Sequence, residues 1–172
     1  GNPLSASTSY GMYMTNNSRM MIANNSIYLR SEGTNSRAFY ATGGGLSELI
    51  NNTFVTEGPG YAGYFNSQYS ILNSNYNNFH STGNNLMYFN GALNDLAAFQ
   101  TASGLDMNSI SVDPVFVAFD DLHVCSDSLN AMGTPLTWIT EDIDGSPRDA
   151  ATPDIGADEF APLTSPFLGP DE

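Results

Sequence analysis

Apolar and turn-forming positions recur along the first half of the chain at a constant interval. The segments LRSEG, FVTEG and FHSTG each carry an apolar residue four positions before a glycine, and they end at Gly33, Gly58 and Gly83. Both intervals are 25 residues. A sequence period of this length is typical of repeat folds, in which each repeat packs only against its neighbours.

The same register aligns three columns of apolar side chains. These are Leu29, Phe54 and Phe79; Met21, Leu46, Ile71 and Leu96; and Met14, Phe39, Tyr64 and Phe89. Three columns per repeat leave room for three short strands joined by three corners, so that the chain coils and stacks equivalent side chains into ladders. We therefore predict an all-β fold, a right-handed parallel β-helix with about 25 residues per coil. An antiparallel sandwich with evenly spaced hairpins is the alternative fold.

Asparagine-rich runs mark the corners of this predicted coil. The sequences NNS, NNS, NNT and NYNNF lie at Asn16, Asn24, Asn51 and Asn77. Asparagine tolerates left-handed backbone conformations and can hydrogen-bond to its counterpart in the next coil of a stack. Three of the runs also match the N-x-Ser/Thr glycosylation pattern, but the corner geometry already accounts for these residues.

The period decays in the second half of the chain, where the segment NDLAAFQTASG predicts a short helix. Asn94 or Asp95 would be the N-cap of this helix, and Gly104 would end it. An exposed edge of a strand stack recruits other chains unless something covers it. We therefore predict parallel β-helix coils over residues 1–93 and a C-terminal capping region of the same domain over residues 94–172.

The charge balance argues against two classes of partner. Eighteen Asp plus Glu stand against four arginines and no lysine, for a formal net charge of −14. Binding to nucleic acid needs a basic surface that this chain lacks, and an anionic membrane surface is disfavoured for the same reason. No run approaches the roughly eighteen apolar residues of a membrane span, so we expect no direct membrane insertion.

An ordered series of motifs in the second half of the chain resembles one family. The run DLAAFQTASGLDMNSISVDPVFVAFDDLHV is followed by DIDGSPR and then by PDIGADEF. This series is similar to the C-terminal part of bacterial right-handed parallel β-helix proteins of the choice-of-anchor Q type, within the pectate-lyase-like group, and it covers residues 95–160. After the His-Val element the family usually continues with a Ser-Pro-Ala-Ile-Asp pattern, whereas residues 126–135 are SDSLNAMGTP. The course of this segment is left open.

The resemblance implies a secreted or cell-surface bacterial protein, often one module of a longer chain that carries a separate sorting domain. It implies no particular activity, because a fold alone does not define a reaction. The lyases and hydrolases related to this family act on acidic polysaccharides. An enzymatic function therefore stays open as an alternative.

Two acids near the end of the chain have the spacing of a calcium loop. Asp142 and Asp144 stand two residues apart, and Gly145 permits the tight turn that such a loop needs. The bidentate acid that completes a calcium loop is missing, because Pro153 occupies its place. We expect no cofactor, and calcium is the alternative that these residues leave open.

A structural link is the preferred interpretation of the same region. Arg148 offers a fork of five donors that can tie two chain segments together through carboxylates. The carboxylates expected to pair with it or to face outward include Asp154, Asp158 and Glu159. In this interpretation Ile143 and Ile155 face the core of the cap.

The outer face of the strand that ends each repeat is the predicted location of a ligand site. Side chains that flank inward positions on a strand must point to solvent. The candidates on this face are Tyr28, Arg30, Glu32, Glu57, Asn78 and His80. Sugar recognition combines aromatic faces with planar hydrogen-bonding groups, and this set offers both.

The same face offers incomplete parts of two catalytic sites. Glu32 and Glu57 are expected one strand step apart, where they would share a cation or act as the acid pair of a hydrolase. A lyase would need a base and a cation, and Arg30 and His80 are among the few bases in the repeats. Neither set is complete, so no catalytic residue is assigned.

We therefore expect an extracellular or cell-surface β-helix module that is non-catalytic, with either a glycan-binding or adhesive role or a structural role in a larger protein. The alternative is a polysaccharide lyase or glycoside hydrolase that acts on acidic polysaccharide. The expected partner in both cases is a polysaccharide. A row of outward aromatic side chains along one face would indicate binding, whereas scattered aromatics would indicate a spacer.

Overall fold

The computed structural model describes residues 7–16 and 18–161, and it shows a β-solenoid of about three turns. Each turn contributes three short strands, one to each of three parallel sheets. The nine strands are β1 (Tyr10–Thr15), β2 (Met21–Ala23), β3 (Ser26–Arg30), β4 (Arg37–Thr42), β5 (Ser47–Ile50), β6 (Thr53–Glu57), β7 (Tyr61–Phe65), β8 (Ile71–Asn75) and β9 (Asn78–Ser81). Strand β10 (Met87–Phe89) continues the first sheet and pairs antiparallel with β11 (Ala92–Leu93).

Parallel pairing between successive turns confirms the predicted fold class. The sheet orders are β1-β4-β7-β10, β2-β5-β8 and β3-β6-β9, so each strand lies beside its equivalent in the next turn. An antiparallel sandwich would instead join many strands that follow one another in the chain. The repeat of about 25 residues therefore reflects one circuit of the solenoid.

The interval between equivalent residues differs between turns, and this corrects the first predicted column. The interval is 27 residues from the first turn to the second, and 24 or 25 residues from the second to the third. Phe54 therefore pairs with Phe79, as predicted, but with Ile27 instead of Leu29. The longer interval arises at a corner, because residues 31–36 join β3 to β4.

The other two predicted columns are also wrong, because the interval is 27 residues from β2 to β5 and 24 residues from β4 to β7. Met21 pairs with Glu48 instead of Leu46. Tyr64 pairs with Tyr40, and both belong to an outward-facing row of tyrosines. A constant sequence period locates turns of the chain, but hydrogen bonds between strands set the register, and corners of unequal length change it.

Phenylalanine rings form a continuous stack inside the solenoid. The fully buried members of the stack are Phe39, Phe54, Phe65, Phe79 and Phe99. The ring of Phe54 lies 5.0 Å from that of Phe39 and 5.5 Å from that of Phe79, and the rings of Phe65 and Phe99 are 5.3 Å apart. Since burial of each ring stabilises the fold by roughly 1.5–3 kcal/mol, the stack links the turns energetically.

A ladder of asparagine side chains, buried at Asn52 and Asn77, holds one corner of the solenoid. Asn25 donates a hydrogen bond to Asn52 at 2.9 Å, and Asn52 donates to Asn77 at 3.0 Å. Asn77 donates in turn to Asp106 at 3.0 Å, which connects the ladder to the cap. The residues just before the ladder adopt left-handed φ angles of 54°, 57° and 55°: Asn24, Asn51 and Tyr76. The predicted hydrogen bonding between asparagines of successive coils is confirmed.

The predicted helix is also confirmed, as α1 (Leu96–Ser103). Asp95 is its N-cap and accepts a hydrogen bond from the amide of Ala98 at 2.8 Å. Gly104 ends it at a left-handed φ of 72°, a conformation that glycine adopts without steric cost. Phe99 anchors the helix in the core of the solenoid, so the helix covers the last turn of the stack.

The rest of the capping region packs along the side of the solenoid. It forms a hairpin of β12 (Phe116–Ala118) and β13 (Asp121–Val124), followed by a 3-10 helix (Asp127–Leu129) within the segment whose course was open. The chain then returns toward the first turns, where the amide of Thr134 donates to Asn51 at 2.9 Å. The cap therefore covers a flank of the solenoid as well as its end.

A second, smaller core holds the cap together. Its buried members are Val124, Leu129 and Ile155. The prediction that Ile143 also faces this core is wrong, because its side chain is 71% exposed at a turn. The described residues include no helix with the length and hydropathy of a membrane span.

Candidate functional site

A cleft of about 600 Å³ lies between the outer face of the β3-β6-β9 sheet and the β12–β13 hairpin. We call it the hairpin cleft. The solenoid contributes Tyr28, Arg30, Glu57 and His80 to its lining, and the cap contributes Asp113, Phe116 and Phe119. Four of the six predicted ligand-facing residues are thus brought together in one concave surface.

Three solenoid residues form a polar network on the floor of the hairpin cleft. Arg30 pairs with Glu57, with Nε 2.8 Å from Oε2, because the two residues stand opposite each other on β3 and β6. The hydroxyl of Tyr28 donates a hydrogen bond to the same carboxylate. Glu57 is therefore held by two side chains at once.

This network shifts the pKa values of two of its members. Burial, reinforced by the neighbouring Glu57 carboxylate, raises the pKa of Tyr28 to about 12. The hydrogen bond from Tyr28, with help from Arg30, holds the pKa of Glu57 below its ordinary value. At neutral pH, Tyr28 is therefore a neutral donor and Glu57 is an ionised acceptor.

Aromatic rings from the cap form the opposite wall. The ring of Phe116 lies 5.7 Å from that of Tyr28, and the ring of Phe119 lies 6.1 Å from it. The guanidinium of Arg30 lies 5.5 Å from the centre of the Phe119 ring. Phe119 remains 61% exposed despite these contacts, so its ring is available to a ligand.

Two of the predicted ligand-facing residues lie elsewhere. Asn78 is fully buried, because the cap covers it: its side chain donates to the carbonyl of Val112 at 3.0 Å. Glu32 is exposed beyond the end of β3. It is not the strand partner of Glu57, since the 27-residue interval places Arg30 there. The expected pair of neighbouring carboxylates is therefore absent from these positions.

Sequence reasoning missed the wall of the cleft. Asp113, Phe116 and Phe119 lie more than fifty residues from the β3 and β6 side chains that they face. The apolar run VFVAF, which leaves Val117 and Phe119 exposed, was the available signal. The docking of the hairpin on the solenoid could not be deduced from it.

The acidic segment at the end of the described chain is tied together by Arg148. Its guanidinium donates to Glu159 at 3.2 Å and to the carbonyls of Gly156 and Ala157 at 3.0 and 2.7 Å. The side chains of Arg148 and Glu159 are only 4% and 12% exposed. Arg148 thus links the segment after the turn at Gly145 to residues 156–159.

Asp154 is part of the same closed structure. Its carboxylate is buried and accepts hydrogen bonds from the amides of Ala131 and Phe160 at 2.7 and 2.8 Å. Burial raises the pKa of this carboxyl above its ordinary value, although the amide hydrogen bonds oppose the shift. Its position indicates a structural role.

Asp142 and Asp144 do not converge as a calcium loop would require. The carboxylate of Asp142 accepts hydrogen bonds from the amides of Asp144, Ser146 and Glu159, at 2.9, 2.7 and 3.1 Å. These bonds occupy both of its oxygens. Asp144 points away from Asp142, toward His123, whose Nε2 is 2.6 Å from the Asp144 carboxylate.

Tyrosines form a second surface that sequence reasoning missed. We call it the tyrosine face; its members, on the first sheet, are Tyr10, Tyr13, Tyr40, Tyr61, Tyr64 and Tyr88, with Arg37 among them. Adjacent rings in the row from Tyr13 to Tyr88 have centroids 5.0, 5.3 and 4.1 Å apart. Arg37 lies 4.0 Å from the centre of the Tyr64 ring. The rings therefore contact one another and this guanidinium, while Tyr10 and Tyr13 remain 44% and 54% exposed.

No family model, curated protein or solved structure matches this chain. The parallel solenoid is compatible with the β-helix fold that the sequence motifs imply. The function of the chain is therefore inferred from the geometry of its surfaces.

Proposed function

We propose that this chain is a non-catalytic carbohydrate-binding module and that the hairpin cleft is its binding site. The observation that carries the proposal is the convergence of three aromatic rings and several polar groups in one concave surface. The rings are those of Tyr28, Phe116 and Phe119, and the polar groups come from Arg30, Glu57 and His80. Aromatic faces cover the apolar faces of sugar rings, while charged and planar groups hydrogen-bond sugar hydroxyls.

The state of the charged groups favours binding over catalysis. Glu57 is ionised and held by Tyr28 and Arg30, so it has no proton to give to a leaving group. Arg30 carries its charge beside Glu57 and is no base for proton abstraction. A module that binds sugar without cleaving it is consistent with both observations.

The charge of the whole chain favours neutral glycans. With a net charge of −14, the protein repels a polyanionic chain at long range. Inside the hairpin cleft, Arg30 is already neutralised by Glu57, and Asp113 adds another acid. Neutral polysaccharides are therefore expected to bind more tightly than polyuronates.

We also propose that the chain is a secreted or cell-surface segment of a longer protein of the choice-of-anchor Q type. The support is the ordered motif series over residues 95–160, together with a parallel solenoid compatible with that resemblance. The sequence of the full gene tests this directly. A cleaved export signal and an anchoring domain in the same open reading frame are expected, and an intracellular protein without either would contradict it.

A screen of soluble polysaccharides tests the proposed binding. Affinity electrophoresis should show retardation by at least one neutral polysaccharide, and retardation should weaken in Arg30→Ala and His80→Ala. The same mixtures are assayed for new reducing ends and for the ultraviolet absorbance of unsaturated uronides. Failure to bind any glycan would overturn the proposal, and release of products would replace it with the enzymatic alternative.

A further inference from the structure

A cluster of metal-ligating side chains lies in the cap, outside the hairpin cleft. His123 lies on strand β13, Asp144 lies in the turn at residues 143–145, and Asp158 lies near the end of the described residues. One ligand atom from each residue lies within 4.8 Å of the other two. Three segments that are distant in the chain therefore present one nitrogen and two carboxylates to a common point.

Asp158 is fixed in place and faces the cluster. The residue is only 6% exposed. Among the described residues its hydrogen bond is with the amide of Val124, which donates to Oδ2 at 2.9 Å. The bond holds the carboxylate, and no residue that the structure describes donates to the other oxygen, an arrangement that suits a cation because a buried carboxylate requires a partner.

His123 is oriented as metal-bound histidines usually are. Its Nδ1 is hydrogen-bonded to the carboxylate of Asp121, and its Nε2 faces Asp144 at 2.6 Å. In metal sites a carboxylate at one ring nitrogen fixes the tautomer and the direction of the other nitrogen. Asp144 is on an exposed turn and can withdraw slightly to admit an ion between itself and the ring.

We propose that His123, Asp144 and Asp158 bind one divalent transition-metal ion, with Zn²⁺ as the preferred ion. Zinc accepts imidazole nitrogen and carboxylate oxygen at about 2.0–2.2 Å, whereas calcium takes oxygen ligands in larger number. The ion takes the place of the proton on Nε2, and that proton is released to solvent. A fourth position is left for water. The bound ion joins the β12–β13 hairpin to the C-terminal segment.

The alternative is a histidine that only bridges two acids. Without metal, the hydrogen bonds with Asp144 and Asp121 raise the pKa of His123 to about 9. An imidazolium then supplies the positive charge itself. Zinc binding separates the two cases, because a simple bridge gains nothing from added metal.

The test is thermal unfolding of the whole chain, stripped with EDTA, dialysed and titrated with ZnCl₂ or CaCl₂. Zinc should raise the Tm in a saturable manner, and the folding equilibrium constant should rise about 100-fold at free zinc of 100 times Kd. Calorimetry should give one zinc per chain. Calcium should have no such effect.

Variants locate the zinc. His123→Ala and Asp144→Asn should lose the rise in Tm on addition of zinc. Because the Asp144 side chain is exposed, Asp144→Asn should fold as the wild type does. His80→Ala is the matched control, because His80 is the second of the two histidines in the chain and lies in the hairpin cleft, outside the proposed zinc site. No zinc response in the wild type, or a response kept in Asp144→Asn, would overturn the proposal. So would a response lost in His80→Ala.

Discussion

Single residues decide how the solenoid ends. The amide ladder of Asn25, Asn52 and Asn77 needs an acceptor at its last step, and the carboxylate of Asp106 supplies it. Ser109 donates to the same oxygen at 2.5 Å. Asp106 is almost fully buried, and this burial raises its pKa above the ordinary value of 3.8 despite the hydrogen bonds. Ionisation of the buried Asp106 carboxyl therefore lowers the stability of the fold by an amount that depends on pH.

The first prediction follows from the sign of that shift. A carboxyl whose pKa is raised by folding binds more protons in the folded chain than in the unfolded chain, so its contribution to stability is lost as pH rises through the folded pKa. Asparagine keeps the acceptor oxygen and carries no charge. Asp106→Asn should therefore become progressively more stable than the wild type as pH rises above the ordinary carboxyl value of 3.8 and through the raised pKa of the folded state. Urea unfolding of both proteins at several pH values measures this difference, and a difference independent of pH would contradict it.

At the scale of elements, the sequence predicted the helix, which depends on neighbouring residues, but it did not predict the strand register or the docking of the hairpin, which depend on distant ones. Helix α1 was predicted with its caps, because Asp95 and Gly104 act through their nearest backbone neighbours. The three apolar columns were mostly misassigned, since corners of unequal length make the interval 27 residues between the first two turns and 24 or 25 between the next two. The tyrosine face and the hairpin cleft depend on that register and on a docked hairpin. Neither could be derived from a period alone.

The second prediction concerns the segment that Arg148 ties together. Replacement by alanine removes the ion-pair partner of Glu159 and one of the donors to each of the carbonyls of Gly156 and Ala157. Arg148→Ala should lower the free energy of unfolding by about 3–5 kcal/mol. Arg148→Lys keeps the charge but loses the planar fork, so its loss should be intermediate. Chemical denaturation measures both, and a loss below about 1 kcal/mol for alanine would show that this link is dispensable.

The whole molecule is held together by the core that runs from the first turn to the helix. Phe54 lies mid-stack, between Phe39 and Phe79, and is fully buried. The cap adds its own small core along the flank. Because the hairpin cleft lies between solenoid and cap, its shape depends on both cores remaining packed.

The third prediction tests this packing. Phe54→Ala leaves a cavity between Ile27 and Phe79 and beside Phe39 that cannot collapse fully, so it should cost about 3–5 kcal/mol. Phe119→Ala removes a ring of the same size from an exposed position and should cost less than about 1 kcal/mol. Equilibrium unfolding of the two variants gives the comparison. Equal losses would mean that the assigned register of the core is incorrect.

The binding site itself is tested most directly by calorimetric titration of one neutral oligosaccharide into matched variants. Phe119→Ala removes the exposed ring of the hairpin cleft, Tyr13→Ala removes one from the tyrosine face, and Tyr69→Ala removes a ring of similar exposure from neither surface, at 64% against 61% for Phe119. Loss of one stacked ring should weaken binding by about 1–2 kcal/mol, roughly 5- to 30-fold in Kd. We expect this loss in Phe119→Ala alone. Unchanged binding in Phe119→Ala, with a loss in Tyr13→Ala, would contradict the account and move the site to the tyrosine face.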